Sequence, residues 1–166
     1  MVIRSENKSD IEAISAVTKA AFENIAISHK TEHFIVNALR AANALTVSLV
    51  AELDGKIVGH IAFSPVEISD GSKDWYGLGP ISVLPEHQRK GIGKALMKEG
   101  LSLVQSFGAK GCLLVGDPNY YGQFGFKNIP GLIYEGIPQK YFLGLSFEEN
   151  KAHGSVRFHK GFDAQG

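Results

Sequence analysis

Residues 78–101 read Leu-Gly-Pro-Ile-Ser-Val-Leu-Pro-Glu-His-Gln-Arg-Lys-Gly-Ile-Gly-Lys-Ala-Leu-Met-Lys-Glu-Gly-Leu. Leu78 to Leu84 is a short apolar run, and Pro85 ends it because proline has no N–H for a continuing ladder and biases Leu84 toward extended backbone. From Ile92 the apolar residues recur at Ala95, Leu96, Leu103 and Phe107, with Met97, Leu101 and Val104 widening the stripe and Lys94, Lys98 and Glu99 left for the wet face. This spacing predicts a helix that Gly108 terminates. Between strand and helix, Gln88-Arg89-Lys90-Gly91-Ile92-Gly93 leaves first-turn amides without intrahelical partners, and its glycines let a ligand approach the backbone. Free N–H groups, the positive helix end and Arg89, Lys90 and Lys94 together favour a phosphate or pyrophosphate.

Two familiar phosphate loops are excluded on named residues. A Walker loop needs Ser or Thr after its lysine, where this chain has Ala95, and a glycine at position 88, which is Gln88. A dinucleotide fingerprint needs a third Gly or Ala at position 96, which is Leu96.

Gln88-x-x-Gly91-x-Gly93, set behind a strand ending Val83-x-Pro85 and ahead of a helix, resembles the signature of the GNAT superfamily of acetyl-coenzyme A-dependent N-acetyltransferases. A second stretch, Asp117-Pro118-Asn119-Tyr120-Tyr121-Gly122-Gln123-Phe124-Gly125-Phe126, extends the likeness with a tyrosine four residues before Gly-Phe. This stretch and the closing Arg157-Phe158-His159-Lys160-Gly161-Phe162 are similar to the bacterial YhbS-like group of that superfamily. The resemblance covers about residues 45–128 well and the ends only through element order.

It implies an α/β fold with a mixed, mostly antiparallel sheet of about six to seven strands, flanked by helices. Strands four and five splay apart there, and the cofactor's pantetheine enters the gap. The loop from Gln88 to Lys94 (Gln88, Arg89, Lys90, Gly91, Ile92, Gly93, Lys94) would then hold the pyrophosphate of acetyl-coenzyme A. Backbone groups around Ile81, Ser82 and Val83 would hold the acetyl carbonyl and pantetheine amides; Asn119 would bond the pantetheine arm and Phe124 pack against it. Tyr121 would be the general acid, with Tyr120 as the alternative. No metal is implied. A binding or regulatory module that keeps the pocket without catalysis is the competing reading.

The remaining sequence fits one domain spanning 1–166, with 17 Lys plus Arg against 17 Asp plus Glu and hence no global field to gather nucleic acid. No apolar run approaches membrane-spanning length and Met1–Asp10 is charged, so a cytoplasmic location is expected. Cys112 is the one cysteine and sits in an apolar run, which suggests a core thiol. A monomer or a homodimer is expected.

Along the chain, Val2-Ile3-Arg4 predicts a short strand, Ser9 to Glu12 a capping box for a helix to about Glu23, and Thr31 the cap of a second helix ending near Asn43. Alternation from Leu45 to Leu53, then Asp54-Gly55, predicts a hairpin returning over Lys56–Ile68, with Pro65 marking a bend or edge. Pro80 cannot donate to a neighbour, so a bulge or splay is expected there. Gly111–Gly116 predicts a buried parallel strand, and three short tail strands follow near 132–134, 141–145 and 156–159.

The acceptor expected is a primary amine on a small molecule or peptide. With a pKa of about 10.4 it is mostly protonated at neutral pH, so something must take its proton. His60, Glu52 and Glu67 are the base candidates, with His60 first because imidazole titrates in the useful range. His29 and His33 on the first two helices could touch the acceptor. The amide near Ile81 would supply oxyanion stabilisation.

Overall fold

The computed structural model describes residues 1–166. Eight strands and four α-helices follow in the order β1 (Val2–Ser5), α1 (Ile11–Phe22), α2 (Glu32–Ala41), β2 (Val47–Leu53), β3 (Lys56–Ile68), β4 (Trp75–Val83), α3 (Ile92–Ser106), β5 (Gly111–Val115), α4 (Pro118–Tyr121), β6 (Leu132–Ile133), β7 (Phe142–Ser146) and β8 (Gly154–Phe158). The main sheet runs β1-β2-β3-β4-β5-β7, antiparallel except for the parallel β4–β5 pair. Asp54 and Gly55 both take positive φ, which sets the tight β2–β3 hairpin. Pro65 stands where β3 changes partner: β2 pairs up to Phe63, and β8 pairs with Val66 to Ile68. No helix is long and apolar enough to cross a membrane.

Helix ends differ from expectation in detail. The capping box forms two residues earlier than Ser9–Glu12: Asn7 accepts from the Ser9 amide and Asp10 accepts from the Asn7 amide, 2.8 Å. Arg4 then grips Asp10 and Glu52, at 2.7 and 2.9 Å, tying β1 to the head of α1 and to β2. Thr31 precedes α2 without a side-chain cap bond, and Ser28 reaches Glu32 instead.

The sheet has two covered faces. A side chain at Gly59 would run into Leu96 and Ile92, so residues 59, 61 and 63 of β3 face α3. His60, Ala62 and Ser64 face the opposite side, where α1 and α2 pack. The buried line of α3 is Ile92, Leu96, Met97, Gly100 and Val104, each large aliphatic one contributing about 1.5–3 kcal/mol. Phe107, expected on that stripe, is exposed because it follows the last helical turn.

Gly100 lies where helix and sheet touch most closely. A Cβ there would sit 2.5 Å from Cε1 of Phe63, which is itself 0% exposed. Gly100→Ala should gain about 1 kcal/mol of helix propensity but lose about 1–3 kcal/mol to overpacking against a ring that cannot retreat. The urea midpoint of the variant should fall; a raised midpoint would show that Phe63 yields more easily than its burial implies.

Candidate active site

The β4–β5 ladder is only three residues long. Trp75, Tyr76 and Gly77 pair with Gly111, Cys112 and Leu113, and pairing stops there although both strands continue. The cause lies in β4: between Ile61↔Ile81 and Phe63↔Leu78 its register against β3 gains one residue, a bulge at Gly79-Pro80. The expected bulge and divergence are therefore both present.

Beyond the bulge the backbone directions follow from one bond. The Leu84 amide donates to the Val58 carbonyl at 2.9 Å, so by the two-residue alternation Ser82 also faces β3. Ile81 and Val83 then aim their N–H and C=O groups into the splay. Consistently, Gln88 Nε2 donates to the Val83 carbonyl at 3.1 Å, which pins the loop to the end of the strand.

At the mouth of this gap the chain turns through Arg89, φ 63°, and Gly91, φ 86°, into α3. The amides from Arg89 to Lys94 have no acceptor within the protein, the first helical bond being Ala95 N–H to the Gly91 carbonyl. Aligned free amides at the head of a 15-residue helix form an anion cradle, and Arg89 and Lys94 add full charges. Gly91 has open space where a Cβ would point, and at Gly93 a Cβ would lie 3.3 Å from the Tyr120 hydroxyl.

A cleft of about 490 Å³ opens over this loop, lined by apolar Ala21, Phe22, Ile25, Ile81, Val83 and Ile92 and by His87, Gln88, Arg89, Gly91, Gly93, Lys94 and Tyr120. Most of the expected loop residues are thus brought together with Ile81 and Val83. Ser82, Lys90, Asn119 and Phe124 are not among its walls. Ser82 sends its side chain through to the α1 face opposite His60, and Phe124 stacks edge-on against Tyr120 with centroids 5.6 Å apart. Sequence reading did not single out Ala21, Phe22, Ile25 or His87, although the family resemblance implies that the first two helices border the acceptor site. The end of α1 is carried across the splay by tertiary packing, and no local pattern signals that.

The two tyrosines divide. Tyr120 faces the cleft, while Tyr121 lies behind it with ring centroids 4.9 Å apart, its ring over Gly116 at the end of β5. A Cβ at Gly116 would overlap that ring, so the glycine makes room for it. Burial, with smaller effects of Tyr120 and Asp117, pushes the Tyr121 phenol up to about 12. Cys112 is fully buried and pushed up to about 12 by burial, a packed core thiol.

None of the expected bases lines the cleft. Glu52 is held by Arg4, and Glu67 sits across from Arg157 at the far end of β3. His29 and His33 are also outside it. His60 is 0% exposed, and its Nε2 lies 2.7 Å from Ser48 Oγ. Direct proton abstraction by His60 in the cleft is corrected by this burial, which also lowers its pKa to about 4 against the opposing pull of Glu6. Ser48 in turn donates to Glu6, whose carboxylate takes two 2.9 Å bonds from Arg40. No group of three or more His, Cys, Asp or Glu side chains is placed to hold a metal ion.

Both the sequence and the fold are similar to those of known proteins. Residues 12–126 fit the Acetyltransferase (GNAT) family model. The chain is 35% identical over 128 residues to the N-acetyltransferase YhbS of Escherichia coli strain K12, covering 76% of this chain and 74% of that protein. The crystal structure of YhbS from Escherichia coli in complex with CoA superposes with a TM-score of 0.90 at 30% identity, covering 99% of this chain and 93% of the other. A GNAT family acetyltransferase from Brucella melitensis, solved in complex with acetyl-CoA, is 49% identical with a TM-score of 0.88, covering 98% and 97%. A bulged fourth strand, a three-residue parallel pairing and a free-amide helix head are features of sequence and fold together, and the chain belongs to the GNAT acetyltransferase family.

Proposed function

We propose that the protein transfers the acetyl group of acetyl-coenzyme A to a primary amine of a small molecule or peptide, by direct attack with both substrates bound. The observation that carries this reading is the run of partnerless amides from Arg89 to Lys94, opening on a gap walled by Ile81 and by the unpaired amide of Val83. An anion held only at the helix head would leave that gap without purpose. An anion joined to an extended amide-bearing arm fits both, the arm pairing with β4 as an added strand would. The relatives solved with CoA and acetyl-CoA support the choice of cofactor.

Acetyl-coenzyme A supplies a thioester whose carbonyl carbon accepts the amine. The Ile81 amide, aimed into the splay, is placed to bond the oxygen that gains charge as the amine adds. The apolar wall of Ala21, Phe22 and Ile25 excludes water from the thioester, which protects it from hydrolysis and strengthens that bond. Tyr121, next to Tyr120 and over Gly116 just past the end of β5 where the strands have parted, is the residue we assign to protonate the departing sulfur. Its raised pKa keeps the phenol protonated across the physiological range, and a thiolate formed in the same apolar surroundings is raised by the same desolvation.

Tyr121→Phe should lower kcat by about 10²-fold or more while the dissociation constant for acetyl-CoA stays within about twofold, because the hydroxyl is needed only as sulfur leaves. Calorimetric titration and free-thiol release with an amine panel measure the two quantities. Unchanged turnover would move the acid to another residue. Since the phenol titrates near 12, the unaltered enzyme should show no fall in kcat between pH 8 and 10 assignable to loss of this proton.

Gly91→Val should weaken acetyl-CoA binding at least about tenfold, since a β-branched residue is strained at φ 86° and the loop must open to relieve it. Thermal unfolding of the variant, which should remain cooperative, separates this from misfolding. An unaltered dissociation constant would count against the loop as the phosphate cradle.

A further inference from the structure

The cleft over the loop passes from one face of the sheet to the other. Ile81 stands opposite Ile61 and Val83 opposite Gly59, which puts their side chains on the α3 face with those residues. Ala21, Phe22 and Ile25 line the same cleft but come from the end of α1 and the turn after it, on the opposite face. That turn is held in place, the Ile25 amide donating to the Phe22 carbonyl and the Ser28 amide to the Ile25 carbonyl, both at 3.1 Å. One opening of the cleft therefore lies at the helix head, where the free amides favour an anion. The other lies beside the end of α1, and a nucleophile must enter there, because the arm of a bound cofactor fills the first.

This second entrance is apolar, with positive charge at its rim. Ile25 is 44% exposed, and Ile27, two residues on, is 91% exposed, so one short turn offers two large aliphatic side chains to whatever enters. The titratable walls of the cleft are His87, Arg89, Lys94 and Tyr120, and none is a carboxylate. Neighbouring acids are engaged elsewhere: Glu32 accepts from the Ser28 hydroxyl at 2.7 Å, and Asp117 accepts from the Asn119 amide at 2.9 Å. The Lys30 ammonium donates to the Ile25 carbonyl and, at 3.4 Å, to that of Ser28. It pairs with no carboxylate, so a full positive charge is tethered next to Ile25.

We infer that the acceptor is a monoamine with an apolar substituent, which lies against Phe22 and Ile25 while its nitrogen meets the thioester. The inference rests on the acetyl-transfer reading above and narrows its acceptor. A second ammonium would enter an apolar passage that has no carboxylate to pair with it, and would meet Lys30 of like charge. Methylene groups instead gain by leaving water, about fourfold in association for each CH₂ fully buried. The reacting nitrogen is exempt from this penalty, since it releases its proton to solvent before it attacks and apolar surroundings favour its neutral form. Alkyl- and arylalkylamines are therefore the good acceptors, and polyamines and lysine-rich peptides the poor ones.

The n-alkylamines from propylamine to hexylamine test this, because their basicity hardly changes with length and differences in kcat/KM report contact alone. Free-thiol release at saturating acetyl-CoA should give a kcat/KM that rises about two- to fourfold with each added CH₂. The six-carbon α,ω-diamine should fall at least about tenfold below hexylamine. Ile25→Asp should flatten the rise and bring the diamine about two- to fivefold closer to hexylamine, its carboxylate pairing with the second ammonium, while Ile25→Leu keeps the rise. Each readout is a ratio between acceptors on one preparation, so neither folding yield nor cofactor affinity enters it. A rate independent of chain length, a diamine used as well as hexylamine, an Ile25→Asp slope equal to the unaltered one, or release with a lysine-rich peptide and with no alkylamine would each overturn the apolar acceptor and leave acetyl transfer standing. No release with any amine or peptide would overturn acetyl transfer and this inference together.

Discussion

The arrangement depends on a sheet that is prevented from closing. Parallel strands β4 and β5 lie side by side and would gain a bond per residue by pairing along their full length, yet they part after Gly77 and Leu113. One residue too many in β4, at Gly79-Pro80, is the cause, since proline has no N–H to offer and the extra residue shifts the strand's register against β3. Three backbone groups, the N–H and C=O of Ile81 and the N–H of Val83, are left unpaired in the opening, the Val83 carbonyl being taken by Gln88. An unmet backbone group of this kind costs about 1–3 kcal/mol if kept from water, so the gap is tolerable only while it is wet or filled by an amide-bearing ligand.

The second requirement is that the gap end at a positive pole. Gln88 links the two, because its side chain bonds the Val83 carbonyl while its backbone begins the turn into α3. Arg89 and Gly91 in left-handed conformation then spread the amides outward. The buried stripe of α3 fixes this helix against β2 and β3, so the cradle stands on the most rigid part of the fold. The remote parts of a bound cofactor would be gripped by rigid groups, and the gap beside Ile81 faces the end of α1 and Tyr120.

The loop and its neighbours were legible in sequence because their physics is local. Proline positions, glycine spacing and a 3.6-residue stripe each act within a few residues of chain, and the loop from Gln88 to Lys94 and the bulge at Pro80 follow from them, while Ile81 and Val83 were implied by the family resemblance. The parallel strand at Gly111 and the hairpin at Asp54-Gly55 were equally readable. What lay outside local physics was hidden. Phe22 and Ile25 enter the cleft only because α1 packs across β4, and the division of labour between Tyr120 and Tyr121 depends on which ring Gly116 makes room for. His60 was recognised as chemically suggestive but placed wrongly, since strand alternation gives a face without saying which face holds the substrate. Its partners Glu6, Ser48 and Arg40 come from three separate segments, and no spacing connects them.

The central claim concerns main-chain amides, which side-chain replacement reaches only indirectly, and amide-resolved hydrogen exchange reaches them directly. Titrating the protein with acetyl-CoA should slow exchange at Arg89 to Lys94 and at Ile81 and Val83, with the rest of α3 little changed because it is already bonded. Undiminished exchange at those amides under saturating acetyl-CoA, with protection appearing elsewhere, would contradict the account.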